Sequence, residues 1–156
     1  MEHNVEIFSA GSFLREDLNP CIELLEQGDA VDPESARVEL PQASLVAILR
    51  DGSAIVGVGA IKRKRPGYAA DISAKSGFAL EAHWHELGYV VTAPTHGKRG
   101  ISKGITAKLL AGFSLRPLFA TTSSPYMKRT LMEAGFLQKG AEWKGKKGQL
   151  SLWLSA

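Results

Sequence analysis

The sequence has one cysteine and no long apolar run. Cys21 is the only cysteine among the 156 residues, so no disulfide can form within the chain, which suits a reducing compartment. No stretch approaches the roughly 20 apolar residues that cross a bilayer. The first residues, with Glu2 and Glu6, do not show a signal-peptide pattern. We therefore predict a cytoplasmic protein that has no membrane partner.

The sequence also lacks internal repeats, low-complexity segments and any linker that could separate two domains. A chain of 156 residues buries roughly two thirds of its unfolded surface, which is enough for one hydrophobic core. We therefore predict a single domain over residues 1–156.

Two histidines, His83 and His85, invite a test for a metal site. Alternate residues of a strand face the same way. However, zinc takes three or four ligands, and Cys21 is distant in sequence and has no paired spacing. We therefore predict no metal site.

Two common nucleotide-binding motifs are also absent. A Walker loop has Gly-Lys-Ser/Thr after four spacer residues, whereas the count from Gly97 reaches Ser102-Lys103-Gly104. The run 57–62, Gly-Val-Gly-Ala-Ile-Lys, has lysine where the third glycine of the dinucleotide fingerprint belongs. Neither nucleotide-binding class is supported.

Strand-like and helix-like segments alternate along most of the chain. Short apolar runs predict strands, and apolar residues three or four positions apart, bounded by capping residues and glycine, predict helices. The predicted elements are a helix with Asn19-Pro20 at its start, Leu18, Ile22 and Leu25 on one face and Gly28 at its end; a short helix from Asp32-Pro33; strands over 45–49 and 54–61 joined at Asp51-Gly52; a helix over 68–75 ended by Gly77; a strand from Glu86 to Ala93; a helix with Ile101, Ile105, Leu109 and Phe113 on one face; a strand over 118–122; a helix from Ser124-Pro125 to Gly135; and a strand over 150–154.

Residues 94–104 form a basic, glycine-rich turn between a predicted strand and a predicted helix. Backbone N–H groups in the first turn of a helix lack partners within the helix, and the helix dipole places partial positive charge there. Phosphate oxygens are favoured at such a position. The sequence therefore predicts an anion site at this turn.

This turn resembles the pyrophosphate loop of the GNAT acyltransferases, which follows the pattern Gln/Arg-x-x-Gly-x-Gly/Ala. Gly97 takes the first position, Gly100 the central glycine and Ser102 the last small residue. Only Gly100 matches strictly, while Lys98 and Arg99 keep the turn basic.

The order of the elements also resembles this family over most of the chain, including the pair Gly135-Phe136 after a helix. The resemblance implies an α/β (α+β) fold with a mixed, mostly antiparallel central sheet flanked by helices. It also implies an acyltransferase that moves an acetyl or short acyl group from acetyl-CoA, used as co-substrate, to an amine acceptor by direct transfer.

The resemblance assigns the coenzyme to the strand before the turn and to the turn itself. Backbone groups of the strand would bind the pantetheine arm, and one N–H would polarise the thioester carbonyl, an interaction typically worth roughly 3 to 4 kcal/mol. The residues so implied are Val90, Val91, Thr92, Lys98, Arg99, Gly100, Ile101 and Ser102.

Proton transfer defines the candidate catalytic residues. An amine with a pKa of about 10.4 must lose a proton before it attacks, so a general base is useful. The resemblance implies a glutamate on an adjacent strand, and Glu86 is the nearest carboxylate to the strand before the turn. The tyrosine that usually protonates the leaving thiolate is replaced by Leu131, so Ser124 and Tyr126, at the start of the same helix, are the candidate substitutes.

Two basic runs, 62–65 and 139–147, suggest an alternative function. Net charge is only +3, but lysines around Trp143 could follow an RNA or DNA backbone. The alternative is a non-catalytic nucleic-acid-binding module, although a solvated strand end and a hairpin turn explain the same runs. An RNA or aminoacyl-tRNA acceptor would reconcile the two functions. The class of acceptor and assembly as a homodimer stay open.

Overall fold

The computed structural model describes residues 4–28, 32–63, 67–97, 100–145 and 148–155. The chain groups into two compact units. The first comprises Met1–Lys62 and Gly88–Ser114, and the second comprises Arg63–Leu87 and Leu115–Ala156.

The helices and strands alternate along the chain. In order they are β1 (Val5–Ser9), α1 (Leu18–Gly28), α2 (Pro33–Glu39), β2 (Leu45–Asp51), β3 (Ala54–Lys62), α3 (Tyr68–Ser76), β4 (His85–Thr92), α4 (Ile101–Gly112), β5 (Leu118–Thr122), α5 (Pro125–Glu133), β6 (Leu137–Gly145) and β7 (Gly148–Ser155). Short 3-10 turns lie at Arg15–Asp17, Leu40–Gln42 and Pro94–His96. None of the helices in the described ranges is long and apolar enough to cross a membrane.

The first unit contains strands in the order β1-β2-β3-β4. Strand β1 pairs antiparallel with β2, and β2 pairs antiparallel with β3. The predicted hairpin is confirmed, but Asp51 pairs with Ala54, so its turn residues are Gly52 and Ser53. The turn therefore lies one residue later than predicted, and Gly52 has a φ of +62° that suits glycine.

Helix α4 packs directly on the backbone of β3. A Cβ atom at Gly57 would lie 2.7 Å from Cδ1 of Ile105, and one at Gly59 would lie 2.6 Å from Cγ2 of the same residue. Ile101, Ile105 and Leu109 are buried, which confirms this part of the predicted helix face. Phe113, by contrast, lies just beyond the helix in extended backbone. The close approach of α4 explains why β3 has small residues at these positions.

The second unit contains the first residues of β4, followed across the sheet by β5, β7 and β6. Strands β4 and β5 are parallel, with His85 opposite Leu118 and Glu86 opposite Phe119. Strand β7 pairs antiparallel with both β5 and β6. The core of this unit contains Ala69, Ile72, Leu80, Phe119 and Leu152.

The predicted fold class is confirmed: the sheet is mixed and mostly antiparallel, and helices flank it. Three local predictions of helix ends are also confirmed, because Asp32 caps α2, Ser124 caps α5 and Gly77 ends α3 in the left-handed conformation. These signals depend on neighbours in sequence, and therefore they can be read locally.

One helix start was predicted wrongly, and two strands were missed. Helix α1 begins at Leu18, directly after the 3-10 turn, so Asn19-Pro20 is not its cap. Strands β1 and β6 were not predicted. Most residues of both are only partly buried or exposed, and both lie at the end of the strand order, so neither has the apolar alternation of a half-buried strand.

Candidate active site

The predicted anion-binding turn lies within the first unit, between β4 and α4. Gly100 caps the helix with a φ of +71° and supplies no side-chain hydrogen bond to the first turn. Among the described residues, apart from its neighbours along the chain, no atom lies within 4 Å of a Cβ atom placed at this position. The N-terminus of a 12-residue helix therefore lies behind an uncrowded glycine, which is the geometry that phosphate oxygens favour. Lys98 and Arg99, which were predicted to bind the coenzyme, lie outside the described residues.

Ser102 departs from the glycine or alanine that the resemblance would place there. Its hydroxyl lies 2.7 Å from the Thr92 hydroxyl, and this hydrogen bond joins the end of β4 to the first turn of α4. The residue is 7% exposed, so its polar atom is buried together with a partner. Serine is accommodated here because Thr92 lies opposite it.

The turn is also tied to the β2–β3 hairpin through His96. The imidazole Nδ1 lies 2.7 Å from the Thr95 hydroxyl, and Nε2 lies 2.7 Å from a carboxylate oxygen of Asp51. These contacts connect the 3-10 turn at 94–96 to a hairpin 45 positions away in sequence. Sequence reasoning missed Asp51, because no local signal links the two segments.

Strand β4 offers mainly its backbone at Val90 and Val91. A Cβ atom at Gly59 would lie 3.3 Å from Val90, and one at Gly28 would lie 3.0 Å from Val91. Both valine side chains therefore pack against neighbouring elements. The side chain of Ile101, another predicted coenzyme residue, is also buried and packs toward Gly57. The backbone therefore remains the candidate contact for a ligand at these three positions.

A long segment of the sequence that includes this turn contains no carboxylate side chain, although Asp51 contacts the turn from the β2–β3 hairpin. Between Glu86 and Glu133 there is no Asp or Glu. The same stretch carries the basic residues Lys98, Arg99, Lys103, Lys108, Arg116, Lys128 and Arg129. Such an imbalance favours anions over cations. Sequence reasoning missed this signal because it extends well beyond the short turn motif.

Glu86, the candidate base, lies in the second unit and is 5% exposed. The Tyr68 hydroxyl donates a hydrogen bond to its Oε2 at 3.3 Å. The Tyr68 ring also packs at 6.3 Å, centroid to centroid, on Phe119, which pairs with Glu86 across β4 and β5. Tyr68 opens helix α3, which the sequence predicted over residues 68–75. Its contact with Glu86 was not predicted.

The two candidate proton donors lie at the start of α5. The Ser124 hydroxyl accepts a hydrogen bond from the backbone N–H of Met127 at 3.2 Å, so it acts as the helix cap. Tyr126 is 47% exposed, whereas Leu131, at the position where the family often has tyrosine, is fully buried. The structure thus gives Ser124 a structural role and Leu131 a place in the core.

The two histidines considered as metal ligands, His83 and His85, flank Trp84 in the sequence. His83 is exposed and its ring contacts the Trp84 ring edge-on at 6.2 Å, while His85 is the first residue of β4. In the part of the chain that the structure describes, no group of three or more potential metal ligands occurs.

Solved structures resemble this fold over nearly its whole length. An acetyltransferase of the GNAT family from Bacillus cereus has 15% sequence identity and a TM-score of 0.67, and the match covers 99% of this chain and 97% of that one. Escherichia coli ElaA has 8% sequence identity and a TM-score of 0.72, and the match covers 99% of this chain and 100% of that one. The structure of yncA from Salmonella typhimurium, solved with its cofactor acetyl-CoA, has 12% identity and a TM-score of 0.65, and the match covers 99% of this chain and 92% of that one.

The chain therefore has the fold of the GNAT acetyltransferases. No protein-family model and no curated protein matches its sequence. At identities this low, the shared property is the fold.

Proposed function

We propose that this protein is a GNAT-type N-acetyltransferase that moves an acetyl or short acyl group from acetyl-CoA to an amine by direct transfer. The observation that carries the proposal is the turn between β4 and α4, where the helix N-terminus that follows Gly100 receives no hydrogen bond from the side chain of its cap residue. The fold is that of acetyltransferases, one of which was solved with acetyl-CoA.

The residues around the turn fit a pyrophosphate group. The open space at Gly100 would let phosphate oxygens approach the N–H groups of Ile101 and Ser102. We propose that Lys98 and Arg99 add positive charge and that backbone groups of Val90, Val91 and Thr92 bind the pantetheine arm. Acetyl-CoA supplies the acyl group as a thioester.

Glu86 is the proposed general base. It would accept a proton from the acceptor amine, whose nitrogen could then form the new bond to the acyl carbon. The Tyr68 hydrogen bond holds one carboxylate oxygen in place. A positioned base typically contributes about 10²- to 10⁴-fold in rate.

The leaving thiolate would take its proton from Ser124 or Tyr126. The Ser124 hydroxyl accepts the Met127 N–H in its capping role, and this bond does not use its own proton. A thiol with a pKa of about 8.5 also leaves without much assistance. Ser124 and Tyr126 are therefore both proposed as proton donors. Because the thiolate needs little assistance to leave, neither has to be a strong acid.

The described contacts give no specific support to a nucleic-acid-binding module. Lys62, the first residue of the basic run 62–65, is directed toward a carboxylate and an aromatic ring. Lys64, Arg65, Lys146 and Lys147 lie outside the described residues. We keep as proposals a cytoplasmic location, a single catalytic domain over 1–156 and an acceptor of unknown class, with RNA, aminoacyl-tRNA and a second copy of the chain as conceivable partners.

Coenzyme binding is tested by thermal unfolding with and without acetyl-CoA. We expect acetyl-CoA to raise the melting temperature, because a ligand that binds the folded state stabilises it. Gly100→Trp should abolish this shift by filling the helix N-terminus. Gly11→Trp is the matched control, since Gly11 also has a positive φ and no atom within 4 Å of a Cβ. If no acyl-CoA shifts the wild-type protein, the coenzyme assignment is wrong.

A further inference from the structure

A largely buried polar cluster surrounds a residue of strand β4 next to the backbone that would bind the coenzyme. The Tyr89 hydroxyl donates a hydrogen bond to Oε2 of Glu39, at the end of α2. The Lys62 ammonium, at the end of β3, lies 3.9 Å from the centroid of the Tyr89 ring and 3.8 Å from the same Glu39 oxygen. Three elements of the first unit therefore meet around one tyrosine side chain.

Burial strengthens these contacts. Tyr89 is 8% exposed, and the side chains of Lys62 and Glu39 are 15% and 17% exposed. Polar contacts that are largely withdrawn from water are stronger than those at a surface. A Cβ atom at Gly88 would lie 3.0 Å from Cε of Lys62, so glycine leaves room for the lysine to cross the strand.

The backbone of Tyr89 is strained. Its φ is +56°, and no other non-glycine residue within the described ranges has a positive φ. A left-handed conformation costs about 1–2 kcal/mol for a residue that has a Cβ atom. Such conformations persist only when the surrounding structure imposes them, and they concentrate at functional sites. The contacts of the tyrosine side chain provide this constraint.

We propose that Glu39 and Lys62 hold Tyr89 in its left-handed conformation, and that this sets the direction of the β4 backbone at Val90–Thr92. All three are positioning residues, because they act through the backbone groups that would bind the thioester arm. The catalytic role of the three residues rests on the proposed function. Their effect on the conformation of Tyr89 rests on the geometry alone.

The test combines a measurement without ligand and two with ligand. The three-bond coupling between the amide and Cα protons of residue 89 reports φ by NMR. Wild type should give the value of a left-handed residue. Tyr89→Phe keeps the ring but removes the hydrogen bond to Glu39, and Glu39→Gln weakens the same bond. In both variants we expect the coupling to move toward the extended value.

In the same two variants, kcat for acetyl transfer should fall about ten- to hundredfold, because small displacements of positioning groups have effects of this size. The Kd for CoA, which the turn at 94–102 would dominate, should change by less than about threefold. Glu34→Gln, an exposed change on the same helix, is the control that should alter neither value. Lys62→Met serves as the second variant if Tyr89→Phe does not fold.

Two outcomes separate the claims. If the coupling at residue 89 stays at the wild-type value in Tyr89→Phe and Glu39→Gln, the proposed clamp is overturned. If the coupling changes but wild type neither binds acetyl-CoA nor transfers its acetyl group, the conformational role stands and the proposed function falls. A coupling change with kcat unchanged within twofold overturns the catalytic positioning role.

Discussion

The two compact units differ in which part of the chain carries the candidate chemistry. In the first unit the candidate site consists mainly of backbone groups: the valine side chains of β4 pack away from it, and the helix N-terminus follows a glycine. In the second unit it consists of side chains, the buried Glu86 carboxylate and its Tyr68 partner. Changes in the first unit should therefore act through packing and the position of backbone groups, and changes in the second through the chemistry of the side chains themselves.

The largest expected effect comes from the second unit. Glu86→Gln keeps the shape of the side chain but removes the base, so kcat should fall about 10²- to 10⁴-fold. The acetyl-CoA melting shift should be nearly unchanged, and steady-state kinetics with an accepted amine measures the difference. Glu142→Gln, which removes an exposed carboxylate paired with Lys128, is the control. An unchanged pH–rate profile in Glu86→Gln would exclude this residue as the base.

The next largest effect is a loss of stability when the packing of the first unit is disturbed. Gly59→Ala places a Cβ atom 2.6 Å from Cγ2 of Ile105 and 3.0 Å from Cδ1 of Leu109, both fully buried. Overpacking of this kind costs about 1–3 kcal/mol of unfolding free energy. Because α4 would be displaced, the acetyl-CoA shift should also shrink. Urea unfolding measures the stability loss, and wild-type stability together with full coenzyme binding would contradict this account of the strand glycines.

The third effect is a pH dependence of stability, caused by Cys21 in the core of the first unit. Burial raises the pKa of the Cys21 thiol from its ordinary value of 9.0 to about 12, and the charge of Asp17 acts in the same direction. Well below pH 9 the thiol is neutral in both the folded and unfolded states. As pH rises from 9 toward 12, the unfolded chain releases a proton that the folded chain retains, so stability falls.

At pH 10.5 this loss should amount to about 2 kcal/mol relative to pH 8.5. Cys21→Ala removes the thiol, so the variant should lose about 2 kcal/mol less than wild type over the same interval. Urea unfolding of both proteins at the two pH values makes the comparison. Equal losses of stability in the two proteins would show that the Cys21 thiol has the same pKa in the folded and unfolded states.

The smallest effect sharpens the contrast between crowded and uncrowded glycines. Gly104 lies within α4, and a Cβ atom there would have no other atom within 4 Å. Gly104→Ala should therefore stabilise the protein by about 0.5–1 kcal/mol, because alanine loses less backbone entropy in a helix. A rise of the thermal midpoint is the expected result. A fall would mean that α4 needs glycine at this position for a reason other than space.

Local signals in the sequence predicted several helix ends and most of the α4 face, since a cap or an apolar stripe depends on residues a few positions apart. They also located the turn that carries Gly100. The same approach failed for the edge strands β1 and β6, because strands with little burial show little apolar alternation. It also failed for Phe113, which continues the apolar spacing beyond the end of α4.

The sequence by itself determined the order of most elements and the basic turn after β4, and its resemblance to the GNAT acyltransferases implied the mixed sheet. Only the tertiary structure decided which side chains meet: Tyr68 with Glu86, 18 positions apart; His96 with Asp51, 45 apart; and Tyr89 with Glu39, 50 apart. The physical reason is that such contacts depend on strand order and register, which are set by packing across the whole sheet and not by neighbours along the chain.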